Sequence, residues 1–179
     1  MRIIMRINQP TNQPTNQSTN QPTNQPPMTP ETLQSTITSL IPTATFDEAS
    51  QWTTVNIESD QWLLLAKELR NDESLSFDYL FCVTGVDWKT HLSMVYHLSS
   101  TKHNHKIVVK AKIADRNNPL IESVSSIWRT AEFHEREAYD LFGIKFLNHP
   151  DLRRLFLTED WQGWPLRKDY EDAVNMIKL

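Results

Sequence analysis

The clearest pattern along the chain is strict alternation of apolar and polar positions in three runs. Phe77, Tyr79, Phe81 and Val83 alternate with Asp78, Leu80, Cys82 and Thr84; Leu92, Met94, Tyr96 and Leu98 alternate with His91, Ser93, Val95 and His97; Ile107, Val109, Ala111 and Ile113 alternate with Lys106, Val108, Lys110 and Lys112. A period of two puts successive side chains on opposite faces, so these runs are expected as strands of a one-sided antiparallel sheet. The loop SSTKHNH joins the last two as a hairpin, and WTTVNIES reads as a further strand. Two stretches have helical spacing instead. Thr29-Pro30-Glu31 opens the first, with Leu33, Ile37, Leu40 and Ile41 as its apolar stripe and Pro42 as its stop; Ser59-Asp60 opens the second, carrying Trp62, Leu65, Ala66 and Leu69. Helices packed on one face of a mostly antiparallel sheet make an α+β domain, expected over residues 28–143.

A third helix is expected from about Ile121 to Phe142, where Ile127, Trp128, Ala131, Ala138, Tyr139 and Phe142 gather on one side at 100° per residue. Glu135 falls in the middle of that side and needs a partner, because breaking a buried ion pair costs about 3–5 kcal/mol. Arg129 and Arg136 project from the opposite face, spaced to pair with Glu132 and Asp140. Glu135 must therefore look to Arg153, Arg154 or Arg167, and Glu135→Gln is expected to weaken assembly more than Glu132→Gln. Gly143 suits the end of the helix. After it, IKFLNHPDLRRLFLTEDWQGWPLRKDY shows no sustained period and reads as an extended strap over 144–179, whose Phe146, Phe156, Trp161, Trp164 and Tyr170 are too much apolar area to leave in water. Phe133, an aromatic on the polar face of the helix, also asks for a cover. Partial wrapping of the chain's own domain combined with contact to a partner is the expected outcome.

Before the domain lies a repeat, NQPT NQPT NQST NQPT NQPP, with nothing to bury; residues 1–27 are expected to be disordered. A tetranucleotide CCAA read in triplets encodes Pro-Thr-Asn-Gln, so the tract reads as translated repeat DNA, with Met28 as the expected native start. Intact-mass measurement of the natural protein decides this.

Charge and cysteine usage narrow the chemistry. A net charge of −4 offers no basic surface for phosphate backbones, so nucleic acid is not an expected partner. The single cysteine, Cys82, excludes an internal disulfide framework and any cysteine-held zinc or iron–sulfur site supplied by this chain alone. No apolar run is long enough to cross a bilayer, so membrane contact is expected to be indirect. His97, His103 and His105 lack a cysteine or carboxylate at ligand spacing and are expected to be solvated. His134, Glu137, His149 and Asp151, with Glu135 as base, could outline the mononuclear metal site of a stand-alone hydrolase, but HEREAYD lacks the two-histidine i,i+4 clamp. With three glycines and no phosphate-binding loop, no cofactor or catalytic site is expected.

AEFHEREAYDLFGIKFLNHPDLRRLF, followed by GWPLRKDY, resembles the signature of the 30 kDa subunit family of NADH-quinone oxidoreductase, the respiratory complex I. The resemblance runs from Ala131 to Tyr170, with weaker likeness through VTGVDW and VYHLSS; Phe133 stands where the family usually has tryptophan, and the repeat tract has no counterpart. It implies a peripheral-arm subunit on the cytoplasmic side of the bacterial inner membrane. Its neighbours would carry the FMN, the iron–sulfur clusters and the quinone pocket. It also implies that Glu135, Arg136, Glu137, Asp140, His149, Pro150, Arg153, Arg154, Arg167 and Lys168 act as structural and docking groups. A membrane-bound hydrogenase or formate hydrogenlyase has an equivalent subunit and is the alternative assembly.

Overall fold

In the computed structural model, which describes residues 29–172, the three alternating runs form three adjacent strands of a five-stranded sheet. Helix α1 (Pro30–Leu40) starts at Thr29, whose hydroxyl accepts the Thr32 N–H. Strands β1 (Thr45–Phe46) and β2 (Thr53–Glu58) follow, then a 3-10 turn (Ser59–Gln61) that leads into α2 (Trp62–Asn71). The start of this second helical stretch is fixed by a reciprocal pair between Glu58 and Gln61, a capping box one residue upstream of the expected Ser59-Asp60 cap. Strands β3 (Tyr79–Asp87), β4 (Leu92–Ser99) and β5 (Lys106–Ile113) complete the sheet in the order β1-β2-β5-β4-β3. Every neighbouring pair is antiparallel except β2 and β5, which run parallel, so the sheet is mixed.

One face carries the core. Trp62 of α2 stacks on Tyr96 of β4 at 4.1 Å. Leu33 and Ile37 of α1 and Ile107, Val109 and Ala111 of β5 belong to the same buried cluster. Gly85 of β3, opposite Met94, has no side chain because the Phe142 ring fills that space: a Cβ there would lie 2.8 Å from it.

The stretch before α3 (Ala131–Phe142) departs from the expected long helix. Residues Leu120–Glu122 form a short strand, β6, paired in parallel with β7 (Lys145–Leu147), so that the expected strap also begins as a strand. Serines explain the break. The Ser123 hydroxyl bonds Ser125 Oγ and accepts the Ser125 N–H, local bonds that compete with helical ones. A single turn about Val124 then leads to Trp128, whose indole N–H donates to Phe77 O, and to Thr130, whose hydroxyl donates to Leu80 O. These two bonds tie the approach to α3 onto β3 and the residues that lead into it. The hairpin histidines are engaged as well: His103 and His105 bond the carbonyls of Glu73 and Leu75 through Nε2, instead of facing water as expected. The repeat at 1–27 lies outside the described residues.

Candidate functional site

Helix α3 ends at Gly143, which adopts the left-handed conformation (φ +71°) and donates its N–H to Tyr139 O. The next three carbonyls of the last turn would be orphans in an isolated helix. All three are satisfied by the tail: Arg154 Nη1 donates to Asp140 O at 3.2 Å, Leu166 N–H to Leu141 O at 3.1 Å, and Arg167 Nε to Phe142 O at 2.6 Å. Two of these donors are guanidinium cations at the negative end of the helix dipole. Trp164 covers the junction. Its ring occupies the space into which a Gly143 Cβ would project, with the Arg154 guanidinium 4.8 Å over it and Tyr139 beside it at 5.9 Å.

Two buried aspartates pin the tail. Asp140 is fully buried on α3; its Oδ1 accepts from Arg154 at 2.9 Å, and its Oδ2 accepts the N–H groups of Leu155, Phe156 and Leu157 at 3.0, 2.7 and 3.0 Å. Asp87, at the end of β3, pairs with Arg116, accepts Lys89 N–H at 2.7 Å, and takes the backbone N–H of Lys168 at 2.7 Å. Burial works against the charged form of both carboxylates. The hydrogen bonds outweigh it and hold both below the usual carboxylate range. Arg116 also reaches Asp169, and its carbonyl accepts from Arg167, so a residue of the β5–β6 connection closes the far end of the strap.

The remaining signature residues divide between inside and outside. Arg136 is buried to 6% exposure and donates to the carbonyls of Arg153 and Arg154 at 3.2 and 3.1 Å, with its guanidinium 5.6 Å from the Phe133 ring. It does not pair with Asp140 as the helical wheel had it, because Asp140 turns to the tail. Arg153 sends its side chain outward to Asp151 at 2.8 Å. Glu137, Pro150 and Lys168 are exposed.

Glu135, fully buried, has no arginine partner among the described residues, contrary to the expectation from the apolar stripe. Its carboxyl accepts from Ser123 Oγ at 2.5 Å and Val124 N–H at 2.8 Å, and His149 Nε2 stands 3.9 Å away. Burial raises its pKa from 4.5 to about 7, and the two hydrogen bonds offset only part of that. A hydroxyl, a backbone N–H and a raised affinity for the proton thus stand in place of the expected cation. His149 is engaged on both nitrogens: Nδ1 accepts Asp151 N–H at 3.0 Å, which leaves the proton on Nε2 facing Glu132 O at 3.0 Å. Among the described residues no group of three or more His, Cys, Asp or Glu side chains is placed to hold a metal ion.

The sequence reading missed Asp87, Arg116 and Ser123. Asp140 itself carried a hint: an acidic residue in the last turn opposes the helix dipole and calls for strong compensation.

Three comparisons bear on this arrangement. The C/D subunit of NADH-quinone oxidoreductase from Phocaeicola vulgatus is 50% identical over 103 residues, covering 57% of this chain and 20% of that one. The C subunit of the same enzyme from Chloroherpeton thalassium is 47% identical over 124 residues (67% of this chain, 51% of that one), and the C subunit from Chlorobium phaeobacteroides 44% over 128 residues (69% and 76%). The chain therefore spans a fifth and about half of the first two relatives' lengths. In three dimensions it superposes on a chain of the membrane-bound sulfane sulfur reductase, an archaeal respiratory membrane complex, with a TM-score of 0.67 at 23% identity over 80% of this chain and 86% of that one, a likeness of fold. The profile of the family described as "Respiratory-chain NADH dehydrogenase, 30 Kd subunit" matches residues 55–174, which include most of the sheet, α3 and the anchored tail, and the chain belongs to that family.

Proposed function

We propose that this chain is a non-catalytic peripheral-arm subunit of a proton-translocating NADH:quinone oxidoreductase, in which it serves assembly and docking. Electrons in such a complex pass from NADH through FMN and iron–sulfur centres to a quinone, all held by neighbouring subunits; this chain would hold its neighbours in place on the cytoplasmic side of the membrane. No helix among the described residues is long and apolar enough to cross a membrane, which is consistent with attachment through other subunits.

The observation that carries the reading is the contrast between the tail's backbone and its side chains. The backbone of 154–168 is fixed by Asp140, Asp87 and the last turn of α3, yet Phe156 is 65% exposed and Leu166 52%, with Phe133 of α3 at 58%. Large apolar side chains held in water on an ordered backbone present a low-entropy surface to a partner. In this reading Glu135, Arg136, Asp140, His149, Arg154 and Arg167 brace the surface, while Glu137, Pro150, Arg153 and Lys168 lie where a neighbour can reach them.

Purification of the native complex through an affinity tag on this chain tests the proposal. Co-purifying subunits that oxidise NADH with a quinone acceptor are the expected result. A hydrogen-evolving complex, or a chain that purifies alone with hydrolase activity and stoichiometric metal, would overturn it.

A further inference from the structure

The sheet face turned away from the helices is aromatic at one end. Trp52 meets Phe81 edge-on at 6.1 Å and His97 at 6.2 Å; Phe81 lies 5.8 Å from His97 and 6.0 Å from Tyr79; and the Lys106 ammonium sits 4.8 Å over the Trp52 ring. Register places the cluster outside the core. Tyr79 stands opposite Ser99 and Cys82 opposite His97, whereas Leu80 and Val83 stand opposite Leu98 and Tyr96 of the buried face. The register shift between Leu80 and Cys82 inserts Phe81 as an extra residue, and its ring joins the row.

The solvent side of a one-sided antiparallel sheet is ordinarily polar. A row of rings there, with Tyr79 51% exposed, is the kind of apolar patch that marks an interaction site. Charge points the same way. Further along β5, Lys110 pairs with Asp47 and Lys112 with Glu58, but Lys106 rests on a ring and forms no ion pair among the described residues. A cation held over an indole at the edge of an apolar patch is complementary to a partner that brings a carboxylate alongside apolar side chains.

We propose that this aromatic end of the open sheet face is a second docking surface, which receives a neighbouring protein subunit through an aliphatic side chain set among the rings and a carboxylate that meets Lys106. The proposal rests on the assembly reading and adds to it: the chain bridges two neighbours, one against α3 and its tail, the other against the opposite side of the sheet.

The test uses the native complex from cells whose chromosomal copy carries benzoylphenylalanine at position 79, at 156 or at 64, the last on the exposed side of α2. Irradiation should join position 79 to a polypeptide of the complex, through a peptide containing aspartate or glutamate. Lys106→Glu should lower retention of the chain in the purified complex by about tenfold, while Lys106→Arg and Lys112→Glu retain it. A silent probe at 79 in a complex whose probe at 156 reacts would overturn the docking face and leave the subunit assignment standing. Absence of the tagged chain from any complex would overturn the assignment itself. A cross-link from 79 to lipid or to a second copy of the chain would also reject this surface, as would equal retention of the Lys106→Glu variant.

Discussion

Asp140 and Phe156 are joined through a single carboxylate oxygen: Oδ2 accepts the Phe156 N–H at 2.7 Å and, on either side of it, the N–H groups of Leu155 and Leu157. Three consecutive backbone donors around one oxygen form the sort of concavity in which main chains bind anions. Here the anion belongs to the helix whose last turn the same tail caps.

Asp140→Asn should therefore lower the stability of the folded chain by about 3 kcal/mol, since it removes the charge that compensates Arg154 and weakens three backbone hydrogen bonds. Asp151→Asn, which weakens only an exposed pair with Arg153, should cost far less. Urea unfolding of the two variants beside wild type checks the contrast. Because Asp140 is held below its ordinary value of 3.8, its contribution is present above that pH and is lost as pH falls further.

Glu135 titrates in the opposite sense. Between 4.5 and about 7 the folded chain keeps a proton that the unfolded chain has released, so the Glu135 contribution declines as pH rises through that window, by roughly 3 kcal/mol in all. Glu135→Gln should flatten this part of the profile and make the chain more stable than wild type at about pH 8. An amide retains an acceptor for Val124 N–H and adds a donor toward Ser123 Oγ, so the folded chain should tolerate Glu135→Gln, an outcome set against the expectation that Gln here harms assembly more than Glu132→Gln. Denaturant unfolding at a series of pH values, together with yields of intact complex, checks both statements.

Gly143→Ala meets two obstacles, a left-handed backbone that disfavours a Cβ by about 1–2 kcal/mol and the Trp164 ring in the space the methyl would fill. Removing the ring relieves the second obstacle only. The double variant Gly143→Ala/Trp164→Ala should thus lose less stability than the sum of the single changes, and thermal melts of the four proteins close the cycle.

Arg116→Ala should loosen the far end of the strap without unfolding the sheet, because Arg116 links Asp87 to Asp169 and its side chain takes no part in the core. Limited trypsin digestion should cleave after Arg167 or Lys168 about tenfold faster than in wild type, with fragments ending at those residues. Unchanged cleavage would show that the Lys168 N–H bond to Asp87 and the bonds of Arg167 to Phe142 O and Arg116 O hold this end without the Arg116 side chain.

What the sequence reveals depends on whether an interaction leaves a period. The three alternating runs and the Gly143 cap were legible because β-pleat, helix pitch and positive φ each impose a residue pattern. The onset of α3 was not. Ile121, Ile127 and Trp128 satisfy a helical wheel, yet Ile121 is buried as part of β6 and the Ser123–Ser125 bonds interrupt the helix. The partner of Glu135 was misread for a related reason: a wheel shows that a carboxylate is buried, but not that a hydroxyl and a backbone N–H from twelve and eleven residues earlier wait for it. The tail left no pattern at all, since its anchors join backbone amides to carboxylates at sequence separations of up to 81 residues.

The grip of Asp140 on the main chain makes residues 155 to 157 interchangeable in a particular way. Every amino acid except proline offers the same N–H, so the anchor is indifferent to which side chains stand there. Substitution at Phe156 can remodel what the surface shows to its surroundings while the segment stays in place, a division of labour that frees outward chemistry to drift independently of attachment.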